Sequence, residues 1–71
     1  YVAIACNDSF VHIYNIKTGK FIHKLVGHSN GVITCKFSTD EKFLITASHD
    51  HTCRVWDVKT GQEQFKYLFF S

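Results

Sequence analysis

"ASHDHTCRVWD" occupies residues 47–57 and holds the chain's only tryptophan, Trp56, with Asp50 six residues upstream and Asp57 beside it. Earlier in the chain, "ACNDSFVHIYN" at residues 5–15 is a worn copy of the same phrase. Laid on itself at an offset of 42, the chain matches Ala5 to Ala47, Asp8 to Asp50, Lys17-Thr18-Gly19 to Lys59-Thr60-Gly61, and Lys24 to Lys66. Tyr14 falls on Trp56, Ile13 on Val55, Asn15 on Asp57 and Ile16 on Val58, all at the same register without a gap. A period in the forties is the mark of a repeat architecture, in which each unit buries its core against a neighbour.

Within each unit the local signal is β. "YVAIAC", "FVHIYNI", "KFIHKLV", "VITCKF", "KFLITAS", "TCRVWDV" and "EQFKYLFF" are short, rich in β-branched and aromatic residues, and bounded by polar or glycine signals. No proline interrupts them, and helical spacing fits no window of useful length. "NIKTGK" and "DVKTGQ" each join two strands, with Gly19 and Gly61 supplying the positive φ of a tight hairpin. "NDS" and "HDH" read as tight turns centred on Asp8 and Asp50, and "STDEK" as a further turn. "FLITA" and "YVAIAC" are apolar at consecutive positions, which predicts sheets covered on both faces.

The second unit runs from Gly27-His28 to Trp56-Asp57, with "VITCKFS" and "FLITAS" between. This order resembles the Gly-His … Trp-Asp frame of the WD40 repeat. The resemblance implies an all-β fold of WD40-type β-propeller blades, each of four strands, with every sequence repeat straddling two blades. On that frame residues 1–27 are the rear of one repeat, giving strands b–d of a blade. Residues 28–71 are one full repeat, giving strands a–d of the next. The chain then holds about seven short antiparallel strands in two sheets of an incomplete ring. Because it opens inside a strand, it reads as a fragment that needs the rest of a propeller, or other copies of itself, as a partner.

The family also implies a buried structural network of His28, Ser48, Asp50 and Trp56. A carboxylate in a turn orients the imidazole, which reaches a hydroxyl, which in turn receives the indole N–H. Each buried polar group thereby gains a partner. The first unit departs from the pattern, with Cys6 for the serine and Tyr14 for the tryptophan, while Asp8 remains. "STDE" places Glu41 where a glycine would ease a left-handed turn.

Two sharper readings compete with that structural one. His28, Ser48 and Asp50 have the composition of a hydrolytic triad, but no Gly-x-Ser-x-Gly elbow surrounds Ser48. The stretch ending in Asp57 also resembles a box used by substrate receptors of cullin-RING ubiquitin ligases. That box expects Arg where the chain has Lys59, and an ammonium cannot make the guanidinium's bidentate contact. His49 and His51 flank Asp50 with Cys53 following, yet no second ligand pair stands at finger spacing, so no metal is expected. Arg54 and Trp56 share a strand face, where a cation–π contact is possible.

The reading is therefore a non-catalytic protein–protein interaction scaffold without a cofactor. Propellers present loops at one end of the ring, which here correspond to Ser29, Asn30 and Gly31 and to the turn residues Asn7, Ser9, His49 and His51. Protein or peptide partners are expected. A net charge of +2, with its lysines scattered, argues against nucleic acid or an anionic membrane. No apolar stretch approaches the length that spans a bilayer. Three cysteines, none in a Cys-x-x-Cys, read as reduced thiols of an intracellular protein of the cytoplasm or nucleus.

Overall fold

The computed structural model describes residues 1–5 and 9–69. Cys6, Asn7 and Asp8, which the sequence reading singled out, lie outside the described residues. Seven strands follow in order: β1 (Val2–Ala5), β2 (Val11–Tyr14), β3 (Phe21–Leu25), β4 (Val32–Phe37), β5 (Phe43–Ser48), β6 (Thr52–Asp57) and β7 (Glu63–Leu68). They form two antiparallel meanders, β1-β2-β3 and β4-β5-β6-β7. The chain is all-β, as its alternation and turn chemistry predict.

The internal repeat is carried through to hydrogen-bond register. Val2 pairs with Tyr14 and Ala3 with Ile13. Their counterparts 42 residues on, Leu44 with Trp56 and Ile45 with Val55, pair in the same way. Val11 faces Leu25 and Tyr14 faces Phe21, with a bulge between Ile13 and Tyr14. Cys53 faces Tyr67 and Trp56 faces Glu63, with the bulge between Val55 and Trp56.

The turns repeat as well. Asn15 Oδ1 accepts from the backbone N–H of Lys17 and Thr18, and Asp57 Oδ1 accepts from those of Lys59 and Thr60. This side-chain mimicry of a turn is what Asn and Asp offer at such positions. Gly19 and Gly61 take φ of 73° and 75°. Three non-glycine residues also adopt positive φ: Ser9 (74°), Glu41 (58°) and His51 (68°). Glu41 was expected there. Ser9 and His51, again 42 positions apart, were not.

The two sheets pack face to face. Val11, Ile13 and Leu25 of the first and Val32, Leu44, Trp56 and Val58 of the second form one buried cluster. His23 on β3 adds a polar tie, donating from Nε2 to the Lys59 carbonyl at 3.0 Å. Covering of both faces, expected from the apolar runs, does not hold within this chain. Along β5 burial alternates strictly at first: Phe43 exposed, Leu44 buried, Ile45 exposed, Thr46 buried. The reason is geometric, since successive side chains leave opposite faces and two sheets share only one interface. Ile45, Phe65 and Tyr67 stay exposed on the far face of the second sheet.

Candidate functional site

Strand β5 ends in Ser48, and the turn that follows is closed by the His51 N–H bonding to the Ser48 carbonyl at 3.2 Å. This turn places Asp50 under the β3–β4 connection, where His28 lies buried. His28 Nδ1 stands 2.9 Å from Asp50 Oδ2. Its Nε2 stands 2.6 Å from Thr46 Oγ1, and the Trp56 indole N–H donates to that same oxygen at 2.9 Å. A threonine hydroxyl has one proton and two lone pairs. With the indole on one lone pair, Thr46 donates to Nε2, and the neutral imidazole donates its Nδ1–H to Asp50. No atom of this chain of bonds is left without a partner.

The hydroxyl between imidazole and indole is thus Thr46, which corrects the expectation that Ser48 fills this place. Period-two alternation sets both hydroxyls on the same face of β5, so the sequence presents two candidates. Register decides between them. Leu44 pairs with Trp56 and Thr46 with Arg54, so the indole crosses one step diagonally onto Thr46. Ser48 sits farther along, against the β3–β4 loop. Its Oγ donates to the carbonyls of Asn30 and Gly31, both at 3.0 Å, and accepts the Asp50 N–H at 3.1 Å. Since Ser48 does not bond to His28, the three residues of the hydrolytic alternative do not form a relay.

Thr52 is a further member that the sequence reading missed. Its N–H and hydroxyl both donate to Asp50 Oδ1. The Ser29 N–H donates to Oδ2 at 3.0 Å. Burial by itself raises the Asp50 carboxyl, but the bonds from the Thr52 hydroxyl, His28 and the N–H groups of Ser29 and Thr52 outweigh it. The group is held well below the usual carboxylate range. A residue two positions past the aspartate, able to donate twice, is the signal that would have found Thr52.

Arg54 does share its strand face with Trp56, but its guanidinium is directed to carboxylates. Nη1 bonds Glu63 Oε1 at 2.7 Å, and Nη2 lies 3.9 Å from Asp50 Oδ2. Gly27 packs directly above. A Cβ there would stand 2.8 Å from Arg54 Nη1 and 2.9 Å from Trp56 Cη2. The glycine before His28 is therefore a matter of close approach, not of backbone conformation.

Ser29, Asn30, His49 and His51 are exposed. The loop and turn that carry them are joined, with the His49 N–H donating to the Gly31 carbonyl at 2.9 Å. Gly31 itself is buried, and Ser9 is half-buried at the matching turn of the first sheet. Among the described residues no group of three or more His, Cys, Asp or Glu side chains is arranged around a common point that a metal could fill.

The sequence profile described as "WD domain, G-beta repeat" matches residues 19–57. It takes in β3 of the first sheet and β4 to β6 of the second. The chain belongs to the WD-repeat family. One WD-repeat relative, the U3 small nucleolar RNA-associated protein 21 homolog of Schizosaccharomyces pombe, is 43% identical over 60 residues. That alignment covers 84% of this chain and 7% of the relative. Apoptotic protease-activating factor 1 of Danio rerio is 39% identical over 62 residues, covering 87% of this chain and 5% of that protein. The chain thus spans less than a tenth of the length of either relative. In WD-repeat terms the His28–Asp50–Thr46–Trp56 chain is a clasp, tying the β3–β4 connection to two central strands of a blade.

Proposed function

We propose that this WD-repeat chain is a non-catalytic interaction scaffold that binds protein or peptide partners through the Ser29-Asn30 loop and the His49–His51 turn. On this reading residues 1–27 form the rear of one repeat and residues 28–71 the next. The observation that carries it is the joint anchoring of loop and turn. Asp50 receives both the Ser29 N–H and the His28 imidazole, so exposed side chains stand on backbone pinned from beneath. Loops held by a rigid scaffold are where recognition residues concentrate. Ser29, Asn30, His49 and His51 together offer neutral donors and acceptors with titratable imidazoles, which suits polar peptide groups better than a phosphate backbone. The resemblance to a relative named for association with a small nucleolar RNA supports a nuclear setting over a cytoplasmic one.

Peptide-array binding by the intact chain tests the reading. Asn30→Ala combined with His49→Ala should weaken retained peptides by about tenfold or more, the scale of a small hot spot. The urea midpoint should stay unchanged, because both side chains are exposed. Equal binding by the double variant overturns the assignment. A serine-directed fluorophosphonate should also leave Ser48 unlabelled, and rapid stoichiometric labelling there would return the hydrolytic reading.

A further inference from the structure

The two faces left open in this chain are the two halves of the interface it already makes. The offset of 42 shows this residue by residue. Val11, Ile13 and Leu25 are buried against the second sheet. Their counterparts Cys53, Val55 and Tyr67 lie on the second sheet's open face, joined there by Ile45 and Phe65. In the other direction, Leu44, Trp56 and Val58 are buried against the first sheet. Their counterparts Val2, Tyr14 and Ile16 lie on the first sheet's open side, and Val2 and Ile16 are 40% and 70% exposed. Register and bulges are shared between the two sheets, so the backbone shapes of these faces repeat as well.

We propose that copies of this chain associate head to tail, the Val55–Phe65–Tyr67 face of one docking on the Val2–Tyr14–Ile16 face of the next. The occupant of each open face is a second copy because the complementary surface is on the same chain, one repeat away. Side-chain volumes support the match. Inside the chain, small Ala3 and Leu25 meet large Leu44 and Trp56. On the open faces, bulk moves to the other side: Ile45 and Tyr67 replace Ala3 and Leu25, and Val2 and Tyr14 replace Leu44 and Trp56.

One contact can be placed in detail. A Cβ on Gly61 would stand 2.8 Å from the His23 ring, which packs on that turn, whereas nothing lies within 4 Å of the same point on Gly19. The counterpart of His23 is Phe65, 58% exposed. In the assembly Phe65 of one copy settles on the Gly19 turn of the next. Such an interface joins unlike surfaces, so it propagates into rings or filaments and does not stop at a two-fold dimer. The inference is independent of the loop-binding proposal, which concerns the ends of the strands and not the sheet faces.

Sedimentation of the native chain and two variants decides the matter. Phe65→Asp spoils one face and Ile16→Asp the other, both at positions open to solvent in the single chain. The native chain should associate increasingly with concentration, beyond a dimer. Each variant alone should sediment as a monomer. Mixed in equal amounts they should form dimers and nothing larger, since one good face remains on each partner. Trp56 emission reports that the variants stay folded. If either loses its buried-indole emission, Gly19→Asn and Tyr67→Ser, which are milder at the same two faces, replace the pair with the same expected pattern. A native chain that stays monomeric at all concentrations overturns the proposal and assigns the faces to other proteins or further blades. So does association that survives either substitution, or a folded mixture that remains monomeric.

Discussion

Replacing Thr46 with valine removes one oxygen and almost no volume. Valine keeps the β-branch that suits a strand, so neither a cavity nor a loss of strand preference enters. What is lost is the shared partner of two buried groups. The Trp56 indole N–H and His28 Nε2 both meet Thr46 Oγ1, in surroundings where Trp56 is 1% and His28 6% exposed. A buried donor or acceptor left unpaired costs roughly 1–3 kcal/mol, so two of them amount to about 3 kcal/mol after partial relaxation. Folded domains carry on the order of 0.05–0.15 kcal/mol per residue, which makes this a large share of the stability of a 71-residue chain. With a urea slope of about 1 kcal/mol/M for so small a protein, the midpoint should fall by about 3 M. Ser48→Ala should cost only about 1 kcal/mol, the ordinary worth of a hydrogen bond. The Gly31 carbonyl keeps its bond from the His49 N–H, and water reaches the neighbouring Asn30. Urea titrations of dilute protein, followed by Trp56 fluorescence and far-UV dichroism, measure both. The reasoning is refuted if Thr46→Val shifts the midpoint by less than Ser48→Ala does.

Trp56→Ala should cost roughly 3–5 kcal/mol, as buried tryptophan truncations do, and Tyr14→Ala much less, because Tyr14 is only half-buried beside Phe21. Comparable losses in thermal melts would contradict this asymmetry. The folded Asp50 carboxyl titrates below its unfolded value, so its contribution is complete above the ordinary carboxylate pKa and lost as pH falls below it toward the folded pKa. Asp50→Asn should therefore flatten the acid limb of stability against pH, leaving a smaller slope to which Asp40 contributes, held low by its bonds from Ser38 and Lys42. An acid limb as steep as that of the native chain would argue against the role given to Asp50. Gly27→Ala should destabilise by about 1–3 kcal/mol through overpacking on the Trp56 ring, since the Arg54 tip can swing away but the buried indole cannot. A neutral result in urea would mean that the β3–β4 connection gives way more easily than its packing suggests.

Much of this protein could be read before any coordinates were considered. The repeat offset of 42 was legible in Asp8 and Asp50 and in the two Lys-Thr-Gly turns, because a repeat needs the same turn chemistry at the same place in each unit. Strand identity followed from β-branched runs between turn signals. The left-handed position of Glu41 followed from a turn that ordinarily takes glycine there. His28, Asp50 and Trp56 could be named together because the motif spacing that carries them is local along each strand and loop. The positive φ at Ser9 and His51 was missed because neither residue type signals a left-handed turn.

The choice of Thr46 over Ser48 was of a different kind. Both hydroxyls sit at even spacing on one strand, and only the pairing of β5 with β6 shows which one the indole reaches. His23 likewise carried no signal, since its role depends on a turn 36 residues away coming to rest beneath it. Which faces are covered was also beyond the sequence. An apolar run states that burial is favourable on both sides of a strand, but the neighbour that provides it is a property of packing. Periodicity and turn chemistry act between residues near in the chain, so they are written in the sequence order itself. The clasp, the inter-sheet tie and the two open faces join distant residues, and only the three-dimensional register brings those residues together.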